Sequence, residues 1–440
     1  MRTLLFHLLL AGLSGVAACG FPLVRGPDAR ARNLVVFLGD GLGVSAYTLA
    51  RLEALGEGRG LVVDTFPHTA LVSTRSRNGV VTDSAAAATA LFAGEATDNE
   101  RLGMSPCPDG SFRSPPSIAE IAARHGMATG VVTNTRVTHA TPAALYAHVP
   151  HRDRELDIAA QLADHFAPDV VLGGGRALFL PSTTAAPEDP ELRGAREDGR
   201  DLAAELVRRG YRFVRDRDEL RELEVSPPPK ILGLFAPSHL EPELTRKRSP
   251  SLVEMAEVAL EALERSGKPY FLLVEGGQID FALHANHPEA AVAEILAFDR
   301  AVGRALELVD LEDTLVVVTA DHSHGLAING YPLVASDSEL RQALSGSAGV
   351  DAFGKPYPVV TFSTGPGGFE SRPPGTAPAF VPLEWGAHSG EDVFLAARGA
   401  RSELFGGFLP NRAVFSLFLE ALGLPSGLPE HEGTTCPGSP

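Results

Sequence analysis

The sequence predicts an α/β fold, a mainly parallel central sheet with helices on both faces. Three observations predict it. Short apolar, β-branched runs stop at a polar or glycine residue: residues 34–38 before Gly39 and Asp40, 170–172 before Gly173, 270–274 before Glu275, and 315–319 before Ala320 and Asp321. Continuous runs of this length fit strands buried on both faces. Between them lie helix starts, since Ser117 with Glu120 and Ser251 with Glu254 make capping boxes whose helices end near Gly126 and Gly267. The acidic residues fall just after the strand runs, where open α/β sheets bind their ligands.

Hydrophobic residues make up 44% of the 440-residue chain and charged residues 21%, enough to bury a real core. Lys and Arg total 38 against 55 for Asp and Glu, a formal net charge of -17. Phosphate backbones repel such a chain, and no basic cluster offsets the repulsion, so no nucleic-acid-binding surface is expected. Unmatched carboxylates make divalent cations the first partners to look for.

The chain opens with Met1-Arg2-Thr3 and an apolar run to Ala18, too short to span a membrane comfortably and therefore read as a signal peptide over residues 1–18. Val16-Ala17-Ala18-Cys19 resembles the bacterial lipobox, in which Cys19 becomes the acylated first residue of an exported, membrane-anchored protein in the periplasm or on the outer surface. A plain signal peptide followed by a cysteine is the alternative. Cys107 and Cys436 form a disulfide or remain two thiols. Residues 19–440 read as one catalytic domain, with proline- and glycine-rich surface insertions at 181–190 and around 366–378.

The residues that carry chemistry come in clusters. Gly39-Asp40-Gly41 puts a carboxylate on a turn after the first strand. Asp83 caps an alanine-rich helix that begins at Ser84, where free backbone N–H groups favour a phosphoryl group. No Gly-x-Ser-x-Gly elbow is present, so activation of that hydroxyl falls to a metal. Glu275, Asp280 and His284 follow another strand, with Asp280 and His284 four apart on one helical face. Asp321 and His322 follow a further strand, in Asp321-His322-Ser323-His324, and His388 precedes one. These oxygen and nitrogen donors suit zinc and should meet at one sheet edge.

Six segments, Gly39-Asp40-Gly41, Thr82-Asp83-Ser84-Ala85-Ala86, Val137-Thr138-His139-Ala140-Thr141-Pro142, Glu275-Gly276-Gly277-Gln278-Ile279-Asp280, Thr319-Ala320-Asp321-His322 and His388-Ser389-Gly390-Glu391-Asp392, resemble the motifs of the alkaline phosphatases in their order, over about residues 33–422. The resemblance implies phosphate monoester hydrolysis at two zinc ions and one magnesium ion. It implies that Asp280, His284 and His388 hold the first zinc, and Asp40, Asp321, His322 and the Ser84 oxygen the second. Asp40 would bridge to magnesium with Thr141 and Glu275, and Arg152 would clamp phosphoryl oxygens. His139 occupies the position where some bacterial relatives carry aspartate near the magnesium and mammalian ones histidine, and Phe281 the position where familiar bacterial relatives carry lysine and mammalian ones histidine. Residues 330–368, within an insertion of about 330–380, resemble the family's crown, which implies a homodimer.

Three rival readings are weaker. A sulfatase of the same superfamily would place proline and arginine after its modified residue, whereas Ala85 and Ala86 follow Ser84, and a diesterase usually lacks the third metal's donors, Thr141 and Glu275. A silent zinc-scavenging lipoprotein would need no nucleophile.

Overall fold

A computed structural model describes residues 30–186, 189–224, 230–425 and 436. The segment read as a signal peptide, residues 1–18, and Cys19 lie outside the described residues.

Ten strands form the central sheet: β1 (Asn33–Gly39), β2 (His68–Ser73), β3 (Ala128–Arg136), β4 (Val170–Gly174), β5 (Tyr211–Val214), β6 (Lys230–Leu234), β7 (Tyr270–Gly276), β8 (Thr314–Ala320), β9 (Val393–Gly399) and β10 (Gly407–Pro410). Their order is β10-β2-β9-β8-β1-β7-β3-β4-β6-β5. Every position of β1, β7 and β8 is buried, as expected of unalternating apolar runs at the centre of a covered parallel sheet. β7 runs on through Glu275, so that carboxylate sits at the end of the strand rather than just beyond it.

Among these ten strands only β9 runs antiparallel to its neighbours, β8 and β2. The chain leaves the carboxyl end of β8, builds the insertion outside the sheet and re-enters at the same edge without a helical crossover. The strand must then run back. That is why His388 precedes its strand while Asp40, Asp280 and Asp321 follow theirs.

Helices cover both faces. α1 (Val44–Gly56) and α4 (Leu252–Arg265) pack on α6 (Pro288–Leu308), and α2 (Ser84–Ala93) packs on α7 (Asn411–Leu422). α3 (Ile118–Arg124) and α4 both open with the reciprocal capping boxes read from the sequence. The short helix α5 (Gln278–His284) follows β7 directly.

Within the insertion, Leu326–Ile328, Val360–Gly365 and Ala379–Pro382 make a three-stranded sheet, and Ser347–Val350 pairs with Pro356–Pro358. Tyr331, Leu333, Phe353 and Phe380 are largely exposed there. Cys107 and Cys436 are joined in a disulfide, which decides the open alternative. Among the described residues no helix is long and apolar enough to cross a membrane.

Candidate active site

Register builds the site before any side chain does. Gly39 of β1 pairs with Gly276 of β7 and Ala320 of β8, so the chains leave three adjacent strands level with one another. Asp40 and Asp321 are each one residue further on, and neighbouring strands lie about 4.8 Å apart. Two carboxylates are thereby set side by side, both buried. The turn after Asp40 requires glycine: Gly41 has φ +69, and a Cβ there would come 2.6 Å from Cδ2 of His324. Its N–H donates to Oδ1 of Asp321 at 3.0 Å.

His322 follows Asp321. Its Nε2 lies 3.3 Å from Oδ1 of Asp40, 3.4 Å from Oδ2 of Asp321 and 3.3 Å from Oγ of Ser84. Ser84 is the first residue of α2, which Asp83 caps by accepting the Ala86 N–H at 3.0 Å. Its hydroxyl thus stands at a capped helix N-terminus, as the sequence predicts.

A second group gathers around α5. Asp280 and His284 face one way, Oδ2 to Nε2 at 3.4 Å, and Oδ1 of Asp280 lies 3.6 Å from Nε2 of His388. Each histidine is turned by a backbone carbonyl: Nδ1 of His284 meets the Gly386 oxygen, and Nδ1 of His388 lies 2.9 Å from that of Thr82. Their Nε2 atoms, 3.2 Å apart, therefore point at the same space as the Asp280 carboxylate.

The third group holds Asp40, Glu275 and His139. Hydroxyls of Thr133 and Thr135, from β3, hold Oε2 of Glu275, the latter at 3.2 Å. Thr141, on the turn after His139, is buried with its hydroxyl unpartnered. Arg152 reaches in from one side: Nη1 donates to Asp83 at 3.1 Å and Nη2 to Nε2 of His139 at 3.1 Å. Phe281, next to Asp280, packs its ring on His239 at 4.6 Å and His139 at 5.9 Å. The structure therefore brings together every residue singled out in the sequence: Asp40, Ser84, His139, Thr141, Arg152, Glu275, Asp280, Phe281, His284, Asp321, His322 and His388.

His324 joins them unassigned by sequence reasoning. Its Nε2 lies 2.5 Å from Oδ1 of Asp280, and it completes a group with His284 and His388. The signal was available, because His324 stands two residues beyond His322 on the same loop.

The electrostatics call for cations in the site. Burial, then the charges of Asp321, Asp280 and Glu275, push the Asp40 carboxyl well up. Burial pushes Glu275 up to about 7 against the pull of Thr133, and it raises Asp321 as well. Asp280 goes the other way: burial raises it, but His284 and His324 outweigh burial and hold it well below the usual carboxylate range. Burial and then His322 push His388 down to about 2, so it stays a neutral donor. Both oxygens of Asp40, Oδ2 of Asp321, Oε1 of Glu275 and Oγ1 of Thr141 are buried without a hydrogen-bond partner. Carboxylates crowded in this way are stable as anions only with cations among them. Zinc accepts the mixed nitrogen and oxygen donors, and a harder cation accepts the all-oxygen set of Asp40, Thr141 and Glu275.

A buried serine at a helix N-terminus, facing carboxylates and imidazoles at the carboxyl edge of a parallel sheet, defines a metal-dependent hydrolytic centre of the α/β class. The sequence model of the alkaline phosphatase family matches residues 31–424. Tissue-nonspecific alkaline phosphatase of Gallus gallus is 38% identical over 430 residues, covering 86% of this chain and 82% of that protein; the Homo sapiens enzyme is 36% identical, covering 86% and 81%. Among solved structures, alkaline phosphatase from the Antarctic bacterium TAB5 superposes with a TM-score of 0.69 at 26% identity, covering 90% of this chain and 99% of that one. The Thermus thermophilus enzyme gives 0.70 at 28%, covering 90% and 92%. The chain belongs to the alkaline phosphatase family, whose reaction is the hydrolysis of phosphate monoesters.

Proposed function

We propose that the chain cleaves phosphate monoesters through a phosphoserine on Ser84, with two zinc ions and one magnesium ion in the centre. The observation that carries this reading is the convergence of the Ser84 hydroxyl, His322 and the unpartnered oxygens of Asp40 and Asp321 on one buried space. Asp280, His284 and His388 would hold the first zinc. Asp40, Asp321, His322 and Ser84 Oγ would hold the second, and Asp40, Thr141 and Glu275 the magnesium. Two variants of the TAB5 enzyme, in which a histidine is replaced by Asp or Glu, have magnesium bound in that enzyme's M3 site, which supports a third metal position in this family.

When bound, the metals lower the pKa of a hydroxyl or water and offset charge on oxygens that gain it. The chain's own residues do the rest. Ser84 Oγ, at the N-terminus of α2, gives up its proton to solvent and forms a bond to phosphorus as the bond to the alcohol oxygen breaks, and the alcohol leaves with a proton from solvent. Water then attacks the phosphoserine from the vacated side, Ser84 recovers its proton, and phosphate departs with configuration at phosphorus retained. Arg152, held by Asp83 and His139, presents its planar fork to two non-bridging oxygens. His324 fixes the carboxylate of Asp280.

The same reading takes residues 19–440 as one exported catalytic domain anchored through Cys19. A second copy would cover the apolar side chains of the insertion. Metal-loaded protein incubated with a 32P-labelled monoester and quenched in acid should carry label on the Ser84 peptide, and chelation should remove both label and turnover. Turnover without label would exclude the covalent route, and zinc binding without turnover would favour a silent zinc-binding protein.

A further inference from the structure

Helix α5 carries two of the proposed metal ligands on seven residues, and a helix this short depends on how its first turn is held. Its N-cap, Gly277, supplies no side-chain acceptor. The first helical N–H, that of Gln278, donates instead to Oδ1 of Asn134, which comes from β3, at 3.0 Å. The Gln278 side chain reaches back to the same place, with Nε2 donating to the Leu240 oxygen at 2.8 Å. Asp280 is two residues further on.

An asparagine amide serves as a cap only one way round. Turned end for end, Asn134 would set its NH2 against the Gln278 N–H, donor against donor. What decides the orientation is Glu294 of α6, whose Oε2 accepts from Nδ2 of Asn134 at 3.3 Å. The other oxygen of Glu294 accepts the Glu243 N–H at 2.6 Å. At alkaline pH, where the carboxylate is ionised, it has no proton to give, so its contact with Asn134 demands that Asn134 point its nitrogen at Glu294 and its oxygen at Gln278. Glu294 is only 5% exposed. The nearby cations Arg246 and Arg300 are engaged by Glu243, at 3.0 Å and 2.9 Å. A carboxylate buried against amide N–H groups is expensive to keep unless it serves an arrangement.

We infer that Asn134 and Glu294 are a positioning pair for the metal site: the buried carboxylate fixes the amide, the amide caps α5, and the cap sets the direction of Asp280 and His284. This rests on the functional reading above. Neither residue is catalytic, since each acts through the backbone of Gln278.

The test exchanges donor and acceptor. Asn134→Asp alone sets two carboxylates against each other. Asn134→Asp with Glu294→Gln reverses the bond: the amide introduced at position 294 donates to the carboxylate introduced at position 134, which still accepts the Gln278 N–H. The oxygen of that new amide still accepts the Glu243 N–H. Zinc affinity is measured at about pH 8 by competition with a chelator, alongside hydrogen exchange of the Gln278 amide and the thermal midpoint. The single variant should weaken one zinc by about tenfold, the usual scale for a partner behind a metal ligand, and should speed Gln278 exchange. The double variant should recover most of both. A merely structural role would shift the thermal midpoint and all metals together, with no recovery. A parent that takes up no zinc overturns the functional reading itself. A zinc-binding parent with an unchanged single variant, or with a double variant worse than the single, overturns only the positioning pair.

Discussion

Nε2 of His322 stands 3.3 Å from Oγ of Ser84, with both side chains buried. A serine and a histidine in contact suggest a hydrolase with an imidazole base, but the carboxylates are in the wrong place for that. In a Ser-His-Asp triad the acid holds Nδ1 while Nε2 takes the serine proton. Here Asp40 and Asp321 crowd the same Nε2 that faces Ser84, and Nδ1 of His322 has no hydrogen-bond partner. Three donors and a hydroxyl around one point fit the ligand set proposed for the second zinc better than a triad. Ser84→Ala should therefore abolish the covalent intermediate and turnover yet keep zinc near the parent stoichiometry, since Asp40, Asp321 and His322 remain. A variant that kept normal turnover would end the phosphoserine mechanism, and so would a parent that stayed fully active after metal removal.

Arg152 gives one edge of its guanidinium to Asp83 and another to His139, so it is aimed before substrate arrives. Burial lowers its pKa, but Asp83 and Asp40 outweigh burial and raise it, so the charge is permanent. Arg152→Ala should lower kcat/KM on the order of 100-fold and weaken inhibition by phosphate. Arg152→Lys should recover charge but not the fork, and fall between. An unchanged kcat/KM in the alanine variant would remove Arg152 from the phosphoryl site.

His139 places an imidazole beside Asp40 and Glu275, where an aspartate would add a charge. Burial and then Arg152 hold its pKa far down, so it is neutral at working pH. A hard cation gains less from neutral nitrogen than from a carboxylate. Added magnesium should reactivate partly chelated protein, and His139→Asp should bind magnesium more tightly. Calorimetric titrations giving equal affinities for the two proteins would refute this.

Much of this site was legible because chemistry sits where strands end, and apolar runs mark those ends. Asp40, Asp280 and Asp321 each follow a run, and the Asp83 cap announces Ser84. The direction of β9 was not legible, because a strand pattern does not say from which edge the chain enters. His324 was visible as a letter but not as a partner of Asp280, since that contact depends on how the loop after β8 folds back over α5. The Asn134–Glu294 contact joins β3 to α6 across 160 residues, which no local pattern encodes.

The burial of Glu294 has a pH signature. Burial, aided by the Glu243 charge and opposed by the Glu243 N–H, pushes its pKa up to about 7, against about 4.5 when unfolded. Between those values the folded protein holds a proton that the unfolded chain has lost, so stability falls as pH rises through this window. The shift corresponds to about 3 kcal/mol as an upper scale. Glu294→Gln cannot titrate, so the stability difference, parent minus variant, should drop between about pH 5 and about pH 8 in urea denaturation. Parallel pH profiles would show that Glu294 keeps an ordinary pKa.

Phe281 bears on how the product leaves. It follows Asp280 directly, and its ring packs on His239 and His139, on the side of the site where Arg152 enters. A phenyl ring offers phosphate neither charge nor hydrogen bond, so a contact that a lysine could make, directly or through water, is missing. Where tightly bound phosphate limits turnover, a weaker hold speeds release and raises KM. Phe281→Lys should reverse this, with stronger phosphate inhibition, a lower KM and a lower kcat. The imidazoles beside it do not oppose the change, because burial and then Arg136 push His239 down to about 4, and His139 is held low as well. A lysine there would meet neutral rings and keep its charge for phosphate. The comparison is made at a pH where lysine is charged and with metal content verified in both proteins. An inhibition constant for phosphate equal to that of the parent would mean that position 281 does not control product retention, and that the ring serves only to pack His139 and His239 against α5.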